Sequence, residues 1–189
     1  MRKLLLSAHV VLSVGWVGAL AVFMAHALAC LVSSDEFVVR ASALAMGITA
    51  WLVILPLSIG TLLTGLVQAS ASAWGLLRHY WVLFKLVLTA LATVVLLLKL
   101  PSIAMLAETA RGPDFDLAGT RGPRTSIALH AAGGLLVLLL IAGLAVYKPS
   151  GLVGRRLPGW AKVMAAVAAG LLLAVALMVI FGGHGPSRA

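Results

Sequence analysis

The sequence is poor in charge, in acid and in cysteine. Of 189 residues, 10% are charged, five are Asp or Glu and one is a cysteine. A soluble domain carries about 25% charged residues, and a chain that is 62% hydrophobic has too little polar surface to cover a water-soluble globule. Cys30 has no partner within the chain, which excludes a disulfide scaffold. Aromatics are only 6%, so Leu, Ala and Val supply the hydrophobicity, as in helices buried in lipid. The shortage of acid also limits the chemistry. No Asp or Glu falls inside an apolar run, so a carboxylate proton relay or carboxylate cation site has no material. A Ser–His–Asp hydrolase lacks its buried acid, and no glycine-rich phosphate loop is present.

What the chain does have is long apolar runs. A bilayer core of ~30 Å needs ~20 apolar helical residues at 1.5 Å each. Five stretches qualify, at about 4–32, 43–67, 80–100, 126–147 and 160–181. The expected fold is therefore an all-α integral membrane protein, one domain over 1–189 with a bundle of five transmembrane helices. Met-Arg-Lys followed by apolar residues looks like a signal-peptide start, and Ala27-Leu28-Ala29-Cys30 faintly like a lipoprotein box. The run is about twice the 7–15 residues of a signal core, so the first span is read as a retained helix. Trp74, Tyr80, Trp81, Tyr147 and Trp160 sit at span ends, where headgroups favour amphipathic rings. Pro56 should kink the second span, with Ser58 or Thr61 helping the freed backbone groups. Pro101 to Thr125 reads as a long loop. In it, Ile103 to Glu108 could form a surface amphipathic turn, and Arg111-Gly112-Pro113-Asp114 and Arg121-Gly122-Pro123-Arg124 mark turns. Small residues (Gly15, Gly18, Ala19, Ala21, Ala25 and Ala29; Gly133 and Gly134; Ala165, Ala166, Ala169 and Gly170) suggest close helix packing.

Charge sets the expected orientation. One side holds Arg2, Lys3, Arg78, Lys148, Arg155, Arg156 and Lys162 and no acid. The other holds Asp35, Glu36, Glu108, Asp114 and Asp116 among Arg40, Arg111, Arg121, Arg124 and Arg188. Lys/Arg excess marks cytoplasmic loops, which puts the N-terminus inside and the C-terminus outside, with the cell inner (plasma) membrane as the expected location. The formal charge of +9 then suits topology and anionic lipid headgroups and calls for no nucleic acid.

The intramembrane ionisable residues are His9, His26, Lys85 and His130, with His79 at a boundary and His184 in the tail. On this topology His9 and His79 form an inner pair, and His26 and His130 an outer pair. Two imidazoles from facing helices suit axial coordination of haem iron, and Arg121 and Arg124 could neutralise haem propionates at the outer surface. His9 and Trp16 share nearly one face, whereas His9 and His26 lie ~100° apart around the helix. The plainer reading of each histidine is an interfacial imidazole bonded to a carbonyl, Ser or Thr. Lys85 either snorkels toward the inner interface beside Trp81 or meets an anionic ligand; Lys99 reads as a snorkelling anchor. The methionines lack the close spacing of a copper-thioether site.

His9-Val-Val-Leu-Ser-Val-Gly-Trp16-Val-Gly18 resembles the first helix of the haem-containing HemJ-type protoporphyrinogen oxidases and the related CopD-like membrane proteins. Thr64-Gly65-Leu66, then Trp74, then Trp81-Val-Leu-Phe-Lys85-Leu86, is similar to the superfamily's next landmark. The likeness covers about residues 1–147 and implies a four-helix core with one extra C-terminal helix. It implies His9 as a haem ligand with Trp16 beside it, Lys85 as a functional lysine, and haem b as cofactor. The expected function is a b-type haem membrane protein for electron transfer or porphyrin oxidation, with His9, His26 and His130 as candidate ligands and a membrane redox partner or second copy as associates. The alternatives are a cofactor-free membrane scaffold or accessory subunit, and transport of a small solute or metal. Transport is the weakest, because no broken helix or buried acid suggests a midplane site.

Overall fold

Asp35 stops the turn after the first helix and starts the next: its Oδ1 accepts from Phe37 N at 2.9 Å, the usual way an aspartate satisfies an orphan donor at a helix start. The computed structural model describes residues 2–70 and 76–181; Trp74, His184 and Arg188 lie outside the described residues. The helices are α1 (Arg2–Val32), α2 (Glu36–Thr49), α3 (Leu55–Ser70), α4 (Tyr80–Thr109), α5 (Arg121–Tyr147) and α6 (Gly159–Phe181). A π-helical turn, Ala50–Ile54, joins α2 to α3. The two therefore make one apolar helix over Glu36–Ser70, and among the described residues five helices are long and apolar enough to cross a membrane. This is the pattern of a multi-pass membrane protein. Among the described residues there is no strand, only an isolated bridge between His79 and Leu152.

A π turn stands just before Pro56, where the sequence predicts an interruption of the helix. Proline offers no N–H to the carbonyl four residues back, and the helix widens just before it, with Leu55 N–H donating to Ala50 O. Such a widened turn is one of the standard accommodations of an interrupted helical ladder. Ser58 Oγ donates to Leu55 O at 2.8 Å. Thr61 does not help: its Oγ1 is buried and has no partner.

The expected long loop is mostly helix. α4 continues through Pro101 to Thr109 because Leu100, Ile103 and Leu106, on both sides of the proline, are buried in the core. The surface turn expected at Ile103–Glu108 is thus part of α4. α5 begins at Arg121, so Arg121 to Arg124 form its first turn. Pro123 is tolerated there because first-turn N–H groups lack helical partners in any case. Only 110–120 remain as a strap between α4 and α5.

Four helical spans close into a ring. α1 touches α2, α3 and α5; α4 touches α2, α3, α5 and α6. α1 and α4 are thus diagonal, the α2–α3 span faces α5 across the ring, and α6 packs outside against α4. One half of the ring is filled. Trp16, Leu20, Phe23, Ala27 and Cys30 of α1 recur every three or four residues and are buried against Val39, Ala43 and Met46 of α2, Ile103 and Leu106 of α4 and Ile127 and Ala131 of α5. That spacing puts them on one stripe of the helix. The small-residue tracks make these contacts only in part: Ala19 packs against this core, Ala165 against the α4–α6 core, and a Cβ at Gly134 would lie 3.4 Å from Leu20. Gly18, Ala21 and Ala25 are exposed, and on α6 it is Ala161 and Ala168 that are buried against α4 and α5 residues. Gly47 does permit a close approach, since a Cβ there would lie 2.9 Å from Ala107 Cβ.

Candidate functional site

The other half of the ring, toward the start of α1, is not filled. A cavity of about 640 Å³ lies between α1, α3, α4 and α5, within the ~300–1,000 Å³ range of small-molecule sites. Its walls are mainly Leu, Val, Ala and Ile. The polar side chains are His9 and Ser13 from α1, Thr61 and Gln68 from α3, Lys85 and Thr89 from α4, and Lys148 just after α5, with Trp16 and Trp81 as aromatic walls. No acid lines it. All five acids belong to the opposite end, on α2, the last turn of α4 and the strap.

His9 is positioned by α3. Thr64 Oγ1 lies 2.7 Å from Gly60 O and donates to it, and lies 3.0 Å from His9 Nδ1. A hydroxyl whose proton goes to Gly60 accepts from the imidazole. Nδ1 therefore carries the hydrogen, and Nε2 keeps the lone pair, the tautomer a metal ligand needs. Gly65 provides the room: a Cβ at that position would stand 3.0 Å from His9 Cε1. The Thr-Gly pair thus holds the ring on one side and makes space for it on the other. Across the cavity, Lys85 Nζ lies 5.5 Å from the centre of the Trp81 ring, in cation–π reach. Trp81 is buried and forms cavity wall, not a headgroup anchor.

The remaining candidates are dispersed. His130 lines a separate cavity of about 60 Å³ with Lys99, on the far side of Trp16, and its Nδ1 donates to Ser126 O at 2.6 Å. A space that size holds about two waters at ~30 Å³ each, not a tetrapyrrole. Lys99 faces this interior space, with Nζ 3.3 Å from Ser126 Oγ, and is not a free anchor. His26 is half-buried and lines neither cavity, so the expected outer pair is not brought to one site. His79 caps the start of α4 and is not on the large cavity's wall, so the inner pair does not meet there either.

The arginines offered for propionates lie at the opposite end from the large cavity. Arg121 is exposed at the start of α5. Arg124 is only 4% exposed: one guanidinium nitrogen donates to Cys30 O in the last turn of α1, and another to Leu117 O in the strap. Sequence reasoning missed this role, and missed Arg40, whose Nε and Nη2 donate to Ala110 O and Gly112 O at 2.9 and 2.7 Å while it stacks on Phe115. Both arginines satisfy carbonyls at helix C-termini, where cations are favoured. Lys148 was also missed as a site residue. Among the described residues no group of three or more His, Cys, Asp or Glu could hold a metal ion by itself. The chain matches no protein-family model, no curated protein and no solved structure.

Proposed function

We propose that the chain is a membrane-embedded b-type haem protein, its N-terminus cytoplasmic in the inner membrane, in which His9 is the iron ligand and the large cavity is the tetrapyrrole site. The observation that carries this is the pairing of His9 with Thr64 and Gly65 on the wall of an apolar cavity of tetrapyrrole scale. The residues present fit the group: a neutral imidazole with a free Nε2, apolar walls, aromatic rings and cations for acidic side chains. The resemblance of the His9–Gly18 and Thr64–Lys85 segments to the HemJ/CopD-like proteins points the same way. The orientation rests on the acid-free cationic end.

Haem, when bound, supplies one-electron redox chemistry. The chain's part is to hold and shield. Thr64 fixes the imidazole tautomer, Trp16 separates the site from the small cavity beyond it, and Lys85 places positive charge in an otherwise apolar chamber. Among the described residues the wall carries a single histidine and no methionine. Electron carriers commonly use two such axial ligands, so the arrangement favours an oxidase-like role on a porphyrin over simple electron transfer. A protoporphyrinogen turnover assay separates these roles, with Lys85→Ala expected to abolish turnover even at haem concentrations that saturate the variant.

The first test is an absorption spectrum of detergent-purified protein, oxidised and dithionite-reduced. The expected result is a b-type spectrum that His9→Ala removes and that His26→Ala and His130→Ala leave in place. A colourless preparation from haem-replete cells supports the cofactor-free scaffold instead.

A further inference from the structure

Among the described residues Lys85 and Lys148 are the two cations of the large cavity, and no carboxylate accompanies them. Their positions are informative. His9 lies seven residues into α1, ~10 Å along its axis, and Lys85 five residues into α4, ~7 Å along. Lys148 follows the last residue of α5, at the same end of the bundle, and is exposed there in a left-handed conformation with φ of 43°. The iron-ligating candidate therefore lies deeper than Lys148, with Lys85 between the two levels. Lys85 and Lys148 thus put positive charge on the same apolar space that the neutral His9 imidazole faces. Two further observations bear on what the cavity could receive. Thr61, 6% exposed, has a buried Oγ1 without a partner on the same wall. Leu6, Val10 and Val14 of α1 and Leu139 and Val146 of α5 line the cavity yet are 48–75% exposed, so it opens sideways between those two helices, toward the acyl chains of a surrounding bilayer.

An apolar chamber with a lateral opening and a cationic rim is complementary to an anionic amphiphile. We infer that Lys85 and Lys148 receive the two carboxylates of a tetrapyrrole diacid, which lies with its acidic edge toward the start of α1 and its apolar edge toward Trp16. This rests on the haem reading of the site and adds to it the orientation and the acid requirement. It also transfers the propionate role from Arg121 and Arg124, at the opposite end, to a lysine pair on the cavity itself.

The test is a titration of the full-length protein, purified in detergent and stripped of pigment, with iron protoporphyrin IX and with its dimethyl ester, followed by the visible absorption of the bound pigment. The wild type should prefer the diacid. Lys85→Gln and Lys148→Gln should each weaken diacid binding on the order of tenfold and leave the ester unchanged, while Arg121→Gln changes neither. Lys148 is exposed, so its variant reads binding and not folding. Equal affinity for diacid and ester, or a diacid preference that survives the double lysine variant, overturns this inference and leaves His9 ligation standing. Failure of both pigments to bind overturns the proposed function, and this inference with it.

Discussion

At the scale of single residues, Thr64 and Gly65 carry the most specific claim. Thr64→Val keeps the side-chain shape but removes the acceptor for His9 Nδ1, so the imidazole loses its tautomer lock. Loss of such a supporting contact costs about 10–100-fold in metal affinity, and a haem titration should show that loss with little change in thermal stability. Gly65→Ala should act through the ring itself, since the added methyl stands 3.0 Å from Cε1 and must displace it. An unaltered haem spectrum and affinity in both variants would separate His9 from any ligand role. Arg124 makes the opposite kind of prediction. Its donors bond to carbonyls of α1 and the strap, so Arg124→Met should destabilise the fold by about 2–3 kcal/mol, read as a lower thermal midpoint in detergent, without altering pigment affinity. A loss of pigment at unchanged midpoint would return Arg124 to the binding site.

The elements show what the sequence could and could not reveal. Long apolar runs mark helices without ambiguity, because the bilayer length and the helical rise set the count. Boundaries were harder. Pro101, and Gly122-Pro123 beside two arginines, look like breaks when read locally. They are helical because Leu100, Ile103 and Leu106 pack on the core and because a proline in a first turn forgoes a bond that would not form anyway. Small residues are a partial guide: Ala19, Gly134 and Ala165 do lie at helix contacts, but their spacing says that helices could approach, not which stripe does. The stripe that does approach on α1 runs from Trp16 to Cys30, and Gly47 marks the tightest crossing, between α2 and α4. Gly47→Val should therefore cost about 1–3 kcal/mol by overpacking. A thermal midpoint equal to wild type would show that the α2–α4 contact yields more easily than the geometry implies.

For the whole molecule, the organising feature is a ring of helical spans packed at one end and hollow at the other. The sequence carried part of this. His9, Trp16 and Lys85 were readable as polar or aromatic residues in apolar helices, and all three line the same cavity. His26 and His130 were equally readable and do not join them, because helical phase alone cannot say which faces converge on a common space. Lys148 was hidden among the cations of the inner loops, since its place on the cavity depends on how α5 ends. The same asymmetry explains why acid-rich loops and packed core share one end, while the hollow end carries only positive charge. A redox-active tetrapyrrole bound there would sit among apolar walls with cations at its rim.

The most direct measurement is chemical complementation at position 9. His9→Gly should purify colourless, and added imidazole together with haem should restore a b-type spectrum by occupying the vacated ring position beside Thr64. Pigment bound with an unchanged spectrum in His9→Gly before imidazole is added would contradict the account, because the iron would then be held by some other group.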